Sequence, residues 1–135
     1  MQKKNWMCIF KFWKSLTWSS LILLACLMPG SSINRVADFD LPHLDKVMHF
    51  GIFFILTVLL LSDLNKQGTR RITRKKRILI AALVAFAFGL AIELFQLILI
   101  QSRSAEVLDV FANGIGIILA VVNYKNINRL TMGHL

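Results

Sequence analysis

Four stretches of the chain are long enough and apolar enough to cross a lipid bilayer as helices. They cover residues 12–29, 44–64, 77–100 and 107–124. The hydrocarbon core of a bilayer is about 30 Å thick and takes about 20 apolar residues of helix. None of the stretches alternates between apolar and polar residues as a strand does. The sequence therefore predicts an all-α polytopic membrane protein, a four-helix transmembrane bundle forming one domain over residues 1–135.

The composition excludes the other common classes of protein. Hydrophobic residues make up 56% of the chain and charged residues only 17%. A soluble domain has about 45–50% apolar and about 25% charged residues. A chain of 135 residues cannot bury that apolar excess in a core of its own. We therefore attribute the net charge of +9 to the positive segments that orient a membrane protein, and we expect no nucleic-acid partner. Two cysteines, Cys8 and Cys26, are too few for a disulfide scaffold and lack metal-ligand spacing.

The lysines and arginines predict the orientation of the bundle. They precede the first span, fill the link between the second and third spans, and follow the fourth. Since positive links stay on the cytoplasmic side, both termini are expected there and the other two links outside. The basic link between spans two and three could also recruit anionic lipid. We favour its reading as a topology determinant.

The first span has an alternative interpretation. Its basic start and the sequence Leu23-Leu24-Ala25-Cys26 resemble a lipoprotein signal peptide that is cleaved before Cys26. However, leucine suits such a cleavage site poorly, and the apolar run continues to Met28. We favour a retained helix that ends at Pro29-Gly30.

Polar residues inside the spans are the most informative feature of the sequence, because ionisable groups are costly in lipid and mark function. All of them fall in the halves predicted to lie in the outer leaflet, and the other halves carry nothing comparable. The residues are His49 in the second span, Glu93 and Gln96 in the third, and Asp109 and Asn113 in the fourth.

Helical spacing predicts that these side chains point into the bundle. Small residues recur every four positions in two spans: Ala81, Ala85 and Gly89, then Ala112, Gly116 and Ala120. Such stripes mark where membrane helices touch. Glu93 continues the first stripe, and Asp109 and Asn113 lie on a face adjoining the second. Asp45 and His49 are four residues apart and share a face of their helix.

The residue types allow acid–base chemistry. His49 with Glu93 or Asp109 could exchange protons, so these three are the candidate catalytic residues. A His/Glu/Asp trio could also hold a divalent metal. With one histidine at the site and no His-Glu-x-x-His pair, we expect no metal and no cofactor.

A second set of polar residues is expected to bind a ligand. Arg103, in the link between spans three and four, would supply a cation beside the two acids. Lys46 is ambiguous, because its long side chain could equally snorkel to the head groups. The candidate binding residues are Asp45, Lys46, Gln96, Arg103 and Asn113.

In five places the sequence resembles the VanZ-like family. The segments are LMPGS (27–31), LDKVMHFG (44–51), IELFQ (92–96), RS (103–104) and DVFANGIG (109–116). The family often has Gly-Arg where this chain has Ser102-Arg103. The resemblance implies a bacterial four-helix membrane protein related to a factor associated with teicoplanin resistance, and it implies no established reaction. It also implies that Asp45, Lys46, His49, Glu93, Gln96, Arg103, Asp109 and Asn113 matter.

Two functions remain open at this point. The chain is expected to be a multi-pass protein of the bacterial cytoplasmic membrane, whose polar site binds or modifies a lipid, a lipid-linked wall precursor or a lipoglycopeptide. The alternative is a non-enzymatic structural or interaction subunit of a membrane complex, in which the polar residues fix helix packing or a dimer contact. The sequence decides neither whether the chain is an enzyme nor whether it forms oligomers.

Overall fold

The computed structural model describes residues 12–27, 44–66, 72–99 and 107–130, which form four helices. They are α1 (Trp13–Leu27), α2 (Leu44–Lys66), α3 (Arg74–Leu99) and α4 (Val107–Leu130). Among these residues there is no strand. The predicted all-α fold with four helices is confirmed.

Three helices extend beyond their predicted spans, α2 by only two residues, to Lys66. α3 begins at Arg74 instead of residue 77, and the hydroxyl of Thr73 accepts a hydrogen bond from the Lys76 N–H at 3.4 Å. Such a hydroxyl caps one of the free N–H groups at a helix start. α4 continues past Tyr124 to Leu130. Hydropathy marks where the apolar stretch ends, whereas a helix can continue through polar residues beyond it.

Three helices have the length and hydropathy of membrane spans. They are Lys46–Lys66, Arg74–Ile98 and Val107–Leu130, with mean hydropathies of 2.1, 2.6 and 1.8. The chain is therefore a multi-pass membrane protein. α1 is described over 15 residues, fewer than the roughly 20 that a span needs. A fourth crossing and cytoplasmic termini stay predictions.

α2 lies at the centre of the bundle. It packs most extensively against α4, and then against α3 and α1. Its side chains Phe53, Leu56 and Leu61 are almost completely buried. The outer faces of α3 and α4 carry large apolar side chains, such as Leu83 and Ile118, that are more than half exposed. These outer faces are the surfaces that contact lipid.

The small-residue stripes lie at helix contacts, as predicted. Ala81, Ala85 and Ala120 have no exposed surface. A Cβ added at Gly116 would run into the backbone carbonyl of Phe50, because α4 lies directly against α2 there. Only the absence of a side chain allows two helices to approach this closely.

α1 is attached to α2 by polar contacts from its first two turns. The Trp18 indole N–H donates to the carbonyl of Ile52 at 3.1 Å. The Ser15 hydroxyl donates to Asp63 Oδ2 at 2.6 Å, and the Ser15 backbone N–H reaches the same oxygen at 3.2 Å. Ser15 and Asp63 are 3% and 2% exposed.

The half of the bundle opposite the outer-leaflet residues was expected to hold no comparable polar group. The buried pair of Ser15 and Asp63 shows that this expectation was wrong. The physical reason is that Asp63, close to the end of an apolar run, looks like an interfacial residue. A clue was available, because an acid near a helix C-terminus opposes the helix dipole and needs a donor to stabilise it.

Candidate functional site

Five buried polar side chains of α2, α3 and α4 form what we call the polar cluster; contacts join four of them, and Gln96 is buried on α3 three residues after Glu93. They comprise one imidazole, two carboxylates and two amides. Each is at most 5% exposed: His49, Glu93, Gln96, Asp109 and Asn113. The structure thus buries five of the eight residues that the sequence singles out and brings four of them into contact distance: His49, Glu93, Asp109 and Asn113. Their catalytic and binding roles stay predictions.

Helical periodicity explains why these side chains are buried. Glu93 continues the stripe of Ala85 and Gly89 and so lies on the inner face of α3. Asp109 lies in the first turn of α4, where the helix dipole stabilises a carboxylate. Asn113 follows one turn later on the same face and is 2% exposed.

His49 is the centre of the polar cluster. Its Nδ1 lies 3.2 Å from Asn113 Oδ1, which accepts the ring proton when Nδ1 carries it. The same Nδ1 lies 3.7 Å from Glu93 Oε1, which is longer than a hydrogen bond but short enough for an ion pair with a protonated ring. In the neutral ring with its proton on Nδ1, Nε2 is left as an acceptor. This arrangement can give and take a proton.

Gly89 gives Asn113 the room for this contact. A Cβ at Gly89 would lie 3.1 Å from Asn113 Nδ2 and 3.2 Å from a ring carbon of Phe53. Both distances are tighter than ordinary van der Waals contact. The bare backbone of α3 at this position therefore fits the amide that faces His49.

Lys46 places a cation at the edge of the polar cluster. Its Nζ lies 3.9 Å from Asp109 Oδ1, and the two side chains are 25% and 4% exposed. Lys46 therefore connects a buried acid to the surface of the bundle. Arg103, the cation expected in this place, lies outside the described residues. Asp45 lies in the first turn of α2, and its side chain is also outside the described part.

The three candidate catalytic residues also meet the distance requirement for a metal site. One ligand atom each from His49, Glu93 and Asp109 lies within 4.8 Å of the others. An imidazole nitrogen and two carboxylate oxygens suit ions such as Zn²⁺ or Mn²⁺. The sequence-based expectation of no metal rested on the number of histidines, and it stays a prediction.

A second group of polar residues, at the other end of the bundle, escaped the sequence analysis. It joins the last turn of α2 to α3 and α4 through Asn65, Arg77 and Tyr124. Each residue looked like an ordinary boundary residue of its own span. Their contacts depend on how the helix ends are arranged in space, and no local pattern encodes that.

Comparison with known families decides the affiliation of the chain. The profile of the VanZ/LLP1 family matches residues 4–128. The chain belongs to the VanZ/LLP1 family. The resemblance carried by the five sequence segments is thereby confirmed. No curated protein and no solved structure matches the chain.

In this VanZ/LLP1 protein the match includes the whole polar cluster, Lys46 and both stripes of small residues. The affiliation supports a membrane protein with this helical arrangement. The ligand has to be argued from the geometry of the polar cluster.

Proposed function

We propose that this VanZ/LLP1 protein binds the head group of an amphiphilic envelope ligand at the polar cluster, in the outer leaflet of the bacterial cytoplasmic membrane. The observation that carries this is the burial of an imidazole, two carboxylates and two amides between helices whose outer faces contact lipid. Burying charged groups in such surroundings is costly, and sites that bear the cost are usually functional.

The depth of the polar cluster fits a ligand that is anchored in the bilayer. Asp109 and His49 lie in the first and second turns of α4 and α2, so about 3–8 Å of helix separates them from the starts of those helices. The positive-inside rule assigns this end to the outer leaflet. A head group can reach that level while its acyl chain lies along the apolar outer faces.

The charges suggest which head groups fit. Lys46 lies at the edge of the polar cluster, and Arg103 belongs to the adjoining link. Cations of this kind bind phosphate or carboxylate oxygens. The carboxylates accept hydrogen bonds from sugars or peptides, and the amides both donate and accept them. Lipids, lipid-linked wall precursors and lipoglycopeptides combine these groups. The last of them would connect the site to teicoplanin resistance.

A catalytic form of this function would use His49 and Glu93. Asn113 accepts the Nδ1 proton and so orients the ring, and Nε2, an acceptor in that tautomer, takes a proton from the ligand. Glu93, 3.7 Å from the ring, stabilises the imidazolium that results. Binding alone needs the same geometry without the proton transfer.

The decisive experiment replaces Glu93 by Gln, which keeps the shape and removes the charge. The binding of fluorescent teicoplanin and of a lipid-linked wall precursor is measured on the full chain in nanodiscs. We expect binding of at least one probe to weaken about tenfold or more, since a hydrogen bond to a charged group is lost. The thermal midpoint in detergent should change little.

Asp63→Asn is the matched control, because it neutralises an equally buried carboxylate away from the polar cluster. It should leave probe binding unchanged. If Glu93→Gln binds both probes as well as the wild type does, and the teicoplanin susceptibility of cells is also unchanged at equal expression, the proposed function is wrong.

A structural or interaction subunit is the second candidate function. It is favoured by the His49–Asn113 and Lys46–Asp109 contacts, which both join α2 to α4. In that case Glu93→Gln should lower the thermal midpoint, and any loss of function should follow the loss of folded protein.

A further inference from the structure

The end of the bundle opposite the polar cluster contains an open cavity of about 270 Å³. It lies between the last turn of α2, the first turn of α3 and the last turns of α4. Its distance from the polar cluster along α2, from His49 to Asn65, is about 24 Å at 1.5 Å per residue. The cavity is therefore separate from the proposed ligand site.

The cavity is strongly cationic. Arg74 and Arg77 approach it from α3, and Lys125 and Arg129 approach it from α4. Among the described residues that line it, none is acidic. Four like charges around one space repel each other, and an anion between them removes that repulsion.

One wall of the cavity is held in place by hydrogen bonds. Arg77 Nη1 donates to Asn65 Oδ1 at 2.9 Å, and Asn65 Nδ2 donates to the Tyr124 hydroxyl at 2.8 Å. Tyr124 is itself buried. The guanidinium of Arg77 is thus oriented by the protein, so less side-chain entropy is lost when it binds.

Arg77 has a donor that the described residues do not use. Its Nε is buried and has no hydrogen-bond partner among them. Leaving a buried donor of a charged group unsatisfied is costly. The Arg77 guanidinium also lines the cavity, and charged donors of this kind bind anionic oxygens strongly.

The position of Arg74 and Arg77 adds a third indication. Both lie at the N-terminus of α3, where the helix dipole disfavours cations and favours anions. The free N–H groups of a helix start bind phosphate well. A phosphate at this point would satisfy the helix start and the arginines together.

We propose that this cavity binds a phosphate group. The phosphate of an anionic membrane lipid is the more direct source, because the cavity opens at the ends of three membrane spans, where head groups lie. A free phosphate ion presents the same chemistry. A topology signal requires only positive charge, and it explains neither the cavity nor the oriented guanidinium.

The test uses the full-length chain in a neutral detergent and measures lipid binding by native mass spectrometry. The probes are short-chain phosphatidic acid, the matching diacylglycerol and inorganic phosphate. Phosphatidic acid should bind and diacylglycerol should not. Arg77→Gln and Lys125→Gln should each weaken binding about tenfold, since each removes a charged hydrogen bond. Lys125 is exposed, so its variant tests the cavity even if Arg77→Gln folds poorly.

Lys75→Gln and Lys76→Gln are the matched controls. Both residues are exposed, lie in the same turn of α3 and do not line the cavity, so the variants lose the same charge. They should weaken binding less than about twofold. Equal losses in all four variants, or equal binding of diacylglycerol, would overturn the phosphate site.

Competition identifies the source of the phosphate. If millimolar inorganic phosphate displaces the lipid, the site takes free phosphate as well. If it does not, the ligand is the lipid. Loss of phosphatidic acid binding in Arg77→Gln and Lys125→Gln but not in Glu93→Gln supports the cavity, whatever the outcome for the polar cluster. Loss in Glu93→Gln alone would place the lipid at the polar cluster and overturn the cavity as its site.

Discussion

The two ends of the bundle solve opposite electrostatic problems. At one end the polar cluster places two carboxylates and an imidazole in an enclosed space, where each is at most 5% exposed. At the other end, three arginines and one lysine surround an open cavity. The stability of a buried charge depends on well-placed partners, whereas water solvates a charge at an open surface. Substitutions should therefore cost most at the closed end and least at exposed positions.

The largest effect is expected at the helix contact beside the polar cluster. Gly116→Ala should lower the free energy of unfolding by about 2–3 kcal/mol, since the new methyl group has to displace the Phe50 backbone. The thermal midpoint in detergent measures this.

Gly114→Ala is the matched control, because nothing lies within 4 Å of a Cβ at that position. It should be neutral, or stabilising by up to about 1 kcal/mol through helix propensity. Equal destabilisation by both substitutions would show that the close contact of α2 and α4 is not what holds this end together.

The next effect tests the polar cluster directly. Asn113→Leu, of similar size, should cost about 2 kcal/mol, because His49 loses its hydrogen-bond partner in a buried site. Asn123→Leu serves as the comparison, since Asn123 donates only to the Leu119 carbonyl of its own helix. If the two variants unfold at the same temperature, the bond from His49 to Asn113 adds nothing to stability.

A smaller effect tests the attachment of α1 at the opposite end. Ser15→Ala should cost about 1–2 kcal/mol, because the buried Asp63 carboxylate loses a hydroxyl donor that lies only 2.6 Å away. Ser20→Ala removes an exposed hydroxyl that only bonds back to Leu16, so it should change stability by less than about 0.5 kcal/mol. If Ser15→Ala and Ser20→Ala have the same stability within experimental error, the hydrogen bond between Ser15 and Asp63 does not anchor α1.

The smallest effect is expected for Lys46. Its side chain is a quarter exposed and 3.9 Å from Asp109, so Lys46→Gln should change stability by less than about 1 kcal/mol. Ligand binding at the polar cluster should nevertheless weaken, and titration of teicoplanin against nanodisc-embedded protein would measure it. A large loss of stability would place Lys46 among the enclosed charges instead.

Local patterns in the sequence predicted much of the closed end. Hydropathy located the helices, and a four-residue period of small side chains identified the buried faces on which Glu93 and Asn113 lie. Both signals work because lipid requires helices and close contact requires small residues. The level of each polar residue followed from counting along its helix.

The opposite end could not be predicted in this way. Ser15 and Asp63 are 48 residues apart in the chain, and only the packing of α1 on α2 brings them together. The cationic cavity depends on α3 and α4 extending beyond their apolar stretches, which hydropathy does not report. A basic link between spans also has a sufficient topological explanation, so its charge alone gave no reason to look for a cavity.

Gly89 limits how this protein can change over evolution. Replacing a helical glycine by alanine is one of the commonest ways to make a protein more stable. At Gly89 the added methyl would press on the amide of Asn113 and on Phe53, so a gain in helix propensity would displace the group that orients His49. Mutations that stabilise the bundle without altering the polar cluster are therefore to be found mainly on its lipid-facing surfaces.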